Sequence, residues 1–207
     1  MQIHFPYDKT TLTASIPDGL HVDVIEPPAV PPAPDEMGAV RDALEELLGG
    51  VRWEDFRGAK RVAIAVNDKT RPVPHDRLLP PLLAKLEALG IPSSAITFFI
   101  AVGTHPPMLP EEFPSILSQG IIDTYNVVSH DSEDIYTFID LGKTPHSTPV
   151  WINRAFFQSD LKIVVGNIEP HQFVGFSGGV KTAAVGLAGL QSINVNHALM
   201  THPDSKI

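Results

Sequence analysis

The stretch Gly166-Asn167-Ile168-Glu169-Pro170-His171, followed by Phe176-Ser177-Gly178-Gly179-Val180-Lys181-Thr182, concentrates residue types that can do chemistry. Glycines let a backbone approach a phosphate closely, free N–H groups at a helix start attract the anion, and lysine adds a full positive charge. A histidine beside such a loop can move protons or hold a metal. An apolar run, Leu161 to Val165, feeds the segment, so it reads as strand, glycine-rich turn and helix start. The chemistry implied is capture of a phosphate-bearing cofactor with reactive groups beside it.

Two other polar turns follow apolar runs in the same way. Asn67-Asp68-Lys69-Thr70-Arg71-Pro72 follows Arg61–Val66, and Gly103-Thr104-His105-Pro106 follows Ile96–Val102. Arg71 suits bidentate capture of a carboxylate or phosphate, with Asp68 and Thr70 holding a ligand hydroxyl or orienting the arginine. In open α/β sheets ligands sit outside the carboxyl ends of the strands, so the three turns are expected to converge there. The glycine loop is not a Walker A motif, because Val180 stands where glycine must precede the lysine. His197 lies in Asn194-Val195-Asn196-His197, on or near a helix after the loop, and no cysteine competes with it as a metal ligand. His130, His146 and His202 read as surface or structural, and His75 as a helix-start residue.

The elements that must position these residues alternate strand and helix, which implies a mainly parallel sheet. The expected fold is a three-layer α/β arrangement with helices on both faces, plus an N-terminal β-hairpin. Residues 1–26 form the hairpin region, with strand-like alternation over 2–25 around an Asp8-Lys9 turn. Residues 27–34 are a proline-rich connector and 35–207 the α/β core. Asp35 is placed to cap a helix bearing Val40, Leu44, Leu47 and Leu48, stopped by Gly49-Gly50. Leu78 to Leu89 keep a helical period in which Pro80 and Pro81 mark either a start or a kink. Tyr125–Val128 reads as a short strand.

Composition narrows the partners. The chain has 207 residues, 43% of them hydrophobic, with a net charge of −9 and no cysteine. That balance argues against a general nucleic-acid or anionic-membrane surface, and the missing thiols exclude disulfides and cysteine nucleophiles. No signal-peptide pattern follows Met1, and no apolar run of about 18 residues is present. A cytoplasmic protein is expected, with its oligomeric state open and a homo-oligomer among the alternatives.

Taken in order, Asp68–Pro72, Gly103–His105, Gly166–His171 with Ser177–Lys181, and Asn196-His197 resemble the lactate racemase family, the nickel-pincer-nucleotide-dependent 2-hydroxyacid racemases and epimerases. The resemblance implies a nickel(II) pyridinium-3,5-bisthiocarboxylate mononucleotide as cofactor. It further implies His197 as nickel ligand, Ser177, Gly178 and Gly179 as the phosphate loop, and Lys181 against the cofactor, in some members covalently. Asp68, Lys69, Thr70 and Arg71 would bind cofactor and substrate, and His105 and His171 would be the acid–base pair for a lactate-like 2-hydroxy acid. Pro106 departs from the arginine often found there, which implies an altered substrate preference. The family also implies a second, substrate-contacting C-terminal domain beyond this chain. A phosphate-loop nucleotide hydrolase and a non-catalytic nucleotide-binding module are the alternatives.

Overall fold

The computed structural model describes residues 1–203 and Ser205. Two compact units divide between Ala33 and Pro34. In the first, β1 (Gln2–Tyr7) and β2 (Thr10–Ser15) pair antiparallel, with Phe5 opposite Leu12 and Ile3 opposite Ala14. Asp8 turns the chain with φ +50°, a conformation that aspartate tolerates better than most side chains. The pairing ends at Ser15, short of the alternation expected up to residue 25. Pro17 has no N–H to offer a ladder, and Pro17-Asp18-Gly19 turns the chain away.

In the second unit, α1 (Glu36–Glu45) starts as expected, with the Asp35 carboxylate accepting from the Gly38 N–H at 2.8 Å. It stops earlier than Gly49-Gly50. The indole of Trp53 donates to the Leu44 carbonyl at 2.6 Å, satisfying a group of the last turn, and Leu48 is left exposed.

The core is a four-stranded parallel sheet. Its strands are β3 (Val62–Asn67), β4 (Ile96–Ala101), β5 (Asn126–Ser129) and, much later in the chain, Leu161–Val165. Between them come α2 (His75–Ala88) and α3 (Gln119–Thr124). A hairpin of β6 (Phe138–Lys143) and β7 (Pro149–Asn153) then leads through α4 (Arg154–Phe157) to the last sheet strand, β8. The spatial order is β5-β4-β3-β8.

All six β3 residues are buried, as a central parallel strand covered on both faces requires. Val62, Ile64 and Val66 join Leu79, Leu82 and Leu86 of α2 in the larger core cluster, where Phe98 and Ile121 also pack. Ala63 and Ala65 face the other way, into a smaller cluster with Phe99, Phe156 of α4 and Leu187. Large residues on one face and alanines on the other set the spacing of the two helical layers, so the three-layer expectation holds. Pro80 and Pro81 neither start nor end α2. The helix begins at His75, as that residue's reading expected, and the prolines lie inside it. The β6–β7 hairpin is absent from the sequence reading, because its half-exposed residues give no clean period.

Chain order places β4 on one side of β3 and β8 on the other. The turns after β3 and β8 therefore flank a topological switch point, where a crevice opens at the carboxyl edge.

Candidate functional site

At the end of β3, Asp68 is only 3% exposed. Its Oδ1 accepts from the Thr70 backbone N–H at 2.9 Å and from the Thr70 hydroxyl at 2.6 Å. Its Oδ2 lies 2.6 Å from Nδ1 of His105, which arrives from the turn after β4. Burial pushes the Asp68 carboxyl upward, but the hydrogen bonds from Thr70 and His105 outweigh it and hold the group below its ordinary value. Both oxygens are thus occupied. Asp68, together with Thr70, holds His105 in place. Lys69 turns away altogether, pairs with Glu112, and does not line the cleft.

After β8 the chain forms a two-residue ladder, β9 (Pro170–His171) with β10 (Gly175–Phe176), then α5 (Val180–Ala184) and α6 (Leu190–His197). In that small turn the Phe173 N–H donates to Nδ1 of His171 at 3.3 Å. The glycine loop lies over the strand end: Ser177 donates its N–H to the Glu169 carbonyl at 2.8 Å. A β-carbon on Gly178 would fall 1.9 Å from the Asn167 carbonyl oxygen. His197 donates Nδ1–H to the Ile193 carbonyl at 2.8 Å, which leaves Nε2 with a free lone pair.

Asp68, Arg71, His105, His171, Ser177, Gly178, Lys181 and His197 line one cleft of about 210 Å³. Thr70 and Gly179 lie just outside its lining. Among the described residues neither Arg71 nor Lys181 is in an ion pair. Burial and then Arg71 push Lys181 below its ordinary value. Burial, followed by Lys181, His197 and Arg71, pushes His171 down likewise. Two cations that no carboxylate pairs among the described residues suit an anionic ligand.

Asn67, Asn167 and Thr182, quoted in the motifs without a role, also line the cleft. Asn67 donates to Oδ1 of Asn167 at 2.8 Å and accepts from the Thr182 hydroxyl at 3.5 Å, tying β3, β8 and α5 together. Gly166 keeps this bridge open, since a β-carbon there would come within 3.0 Å of Asn67 Oδ1. The available signal was an asparagine at the end of one strand and another two residues past a second. A second compartment of about 220 Å³ shares His171, Lys181, Val185 and His197 with the first and adds Phe173, Val174, Leu199 and Met200. His146 and His202, read as surface or structural, stand on its wall with ring centroids 5.4 Å apart. His130 is structural as read, buried with Nε2 donating to the Ala188 carbonyl. Among the described residues no group of three His, Asp or Glu side chains could hold a metal by itself.

Fold and site together define an α/β protein that gathers cations and imidazoles at the carboxyl edge of a parallel sheet. Residues 7–207 match the family described as lactate racemase N-terminal domain, and the chain belongs to that family. It is 33% identical over 199 residues to the lactate racemase of Lactiplantibacillus plantarum, covering 95% of this chain and 47% of that one. To the lactate racemase of Thermoanaerobacterium thermosaccharolyticum it is 32% identical over 198 residues, covering 94% and 46%. The structure of the lactate racemase apoprotein from T. thermosaccharolyticum aligns with a TM-score of 0.83 at 30% identity, over 100% of this chain and 49% of that one. A Thermotoga maritima protein shares the fold at a TM-score of 0.61 and 21% identity. The chain spans about half the length of the curated relatives it matches.

Proposed function

We propose that this chain is the cofactor-binding half of an enzyme that interconverts the enantiomers of a lactate-like 2-hydroxy acid, completed by the second half its relatives carry. The observation behind this reading is the convergence of Arg71, His105, His171, Lys181 and His197, drawn from four separated segments, on one cleft where, among the described residues, neither cation is ion-paired.

The residues fit a nickel pincer nucleotide. Among the described residues one imidazole, with Nδ1 engaged by the Ile193 carbonyl, supplies a single donor, which suits a metal whose other donors belong to the cofactor. His197 would ligate nickel, Ser177, Gly178 and Gly179 would hold the phosphate, and Lys181 would lie against the ring. When bound, that group supplies an electron-poor ring that takes hydride from the substrate's C2, which avoids a carbanion at a weakly acidic carbon. Arg71 would bind the substrate carboxylate in bidentate fashion. His105, oriented by Asp68, would take the hydroxyl proton of one enantiomer, and His171 would serve the other.

A phosphate-loop hydrolase has less support. Asp68 is the one acidic residue on the cleft among those described, and both its oxygens are already engaged.

The test is production of the chain alongside the enzymes that build the cofactor, followed by mass spectrometry and elemental analysis. Nickel and a sulfur-bearing nucleotide retained together support the reading. Retention of neither refutes cofactor binding, and a cofactor-loaded protein with both halves that leaves L-lactate unracemised refutes the activity.

A further inference from the structure

The two cleft histidines meet their neighbours through the same ring atom, Nδ1, but with opposite polarity. Nδ1 of His105 faces a carboxylate oxygen of Asp68 at 2.6 Å. A carboxylate only accepts, so this nitrogen carries the proton and Nε2 of the neutral ring is a bare lone pair. Nδ1 of His171 faces the backbone N–H of Phe173 at 3.3 Å. An amide N–H only donates, so here Nδ1 is bare and Nε2 carries the proton.

Both arrangements are built in. Asp68 is buried and locked by two hydrogen bonds from Thr70. Phe173 sits in the tight turn closed by the pairing of His171 with Gly175. Burial, with the positive neighbours Lys181 and Arg71, favours the neutral His171 ring.

We propose that His105 and His171 are unequal: at rest His105 is the proton acceptor and His171 a hydrogen-bond donor, so the enantiomer whose hydroxyl faces His105 reacts first. This deepens the racemase reading above and rests on it for its functional half. For His171 to accept a proton at Nε2, its own proton must first move to Nδ1, and the Phe173 hydrogen bond must break. That bond is the longer of the two, so His171 is the histidine able to switch, and Asp68 is a positioning residue that fixes His105. The asymmetry is hidden at steady state. Enantiomers have equal free energy, so kcat/KM must be the same in both directions, and only a single turnover reveals which one starts.

The tautomers are directly measurable without cofactor. Long-range proton–nitrogen correlation spectra of the ¹⁵N-labelled chain, recorded above the histidine titration range and assigned with His105→Gln and His171→Gln, should show a protonated Nδ1 in His105 and a protonated Nε2 in His171. The two rings in the same tautomer would overturn the proposal. Asp68→Asn adds a readout that a purely structural role would not move. Oδ1 must still accept from both Thr70 donors, so the new amide group turns toward His105 and should drive its proton to Nε2. A His105 unchanged in this variant also overturns the proposal.

In cofactor-loaded protein with both halves, single turnovers should form keto acid faster from one enantiomer. Asp68→Asn should slow that enantiomer by about 10²- to 10⁴-fold, the usual range for an acid–base group, and spare the other. Equal slowing of both counts against the inequality. Absence of keto acid from either enantiomer refutes the racemase reading and the functional half of the proposal, while the spectra decide the tautomers independently.

Discussion

Replacing Gly178 by alanine isolates what the glycine loop contributes. The added β-carbon would fall 1.9 Å from the Asn167 carbonyl oxygen and 2.9 Å from its carbon, both rigid backbone atoms. Ordinary contact begins near 3.5 Å, so the loop must shift by roughly 1.5 Å. The residue also has φ +79°, which costs a non-glycine side chain about 1–2 kcal/mol. Gly175 supplies the control within the same segment. Its φ is +75°, a β-carbon added there would meet nothing within 4 Å, and it lines neither compartment. Gly175→Ala should therefore lose about 1–2 kcal/mol in urea denaturation and keep its ligand affinity. Gly178→Ala should lose at least as much stability and, with the loop displaced by more than about 1 Å, weaken nucleotide retention on the order of 10²-fold. Retention is read by mass spectrometry of protein made with the cofactor supplied. Equal retention in the two variants would refute the idea that the loop's close approach to Asn167 shapes an anion site.

Other expectations follow from single contacts. His197→Ala should abolish nickel retention while losing only about 1 kcal/mol of stability, the worth of its hydrogen bond to Ile193; elemental analysis of parent and variant decides it, and equal nickel in both removes His197 from the metal site. His130 is 1% exposed, and burial, opposed by its bond to Ala188 and by Asp131, pushes its ring below the ordinary value. Its folded-state pKa is depressed, so its contribution is complete above about pH 6.5 and is lost as the pH falls below that. Urea melts of His130→Gln across this range should give a flatter pH dependence than the parent, and identical slopes would contradict the assignment. Phe98→Ala, fully buried and edge-on to Tyr125 at 5.5 Å, should cost about 3–5 kcal/mol by the same melts; a loss below about 1 kcal/mol would mean that the cluster repacks freely.

Much of the scaffold was legible in the chain. A run such as Val62–Val66, apolar throughout and followed at once by Asn67 and Asp68, carries both its burial and its position at a sheet's carboxyl edge in its composition. Asp35 announced the start of α1 because a short acceptor before a periodic run meets a local need, the unpaired N–H groups of the first turn. His75 was recognised as a helix start for similarly local reasons. Spacing also brought the His105, His171 and Lys181 segments to attention before any geometry was known.

What the chain could not say is how each polar group chooses among partners that lie far away in sequence. Nothing near Asp68 in the sequence shows that it meets His105, which arrives from the next strand, 37 residues on. Lys69 could have faced the cleft, but Glu112 lies across the loop and takes it out. Asn67 and Asn167 carry no mark of being partners until the order β4-β3-β8 sets them side by side, 100 residues apart. Hydrogen bonds are short and directional, so a shift of one strand would change every such pairing while leaving the apolar pattern intact. The sequence by itself therefore determined the layers, the strand ends and the residue types at the site, because burial depends on composition and period. The tertiary structure decided which groups are free to meet a ligand and which are spent on one another.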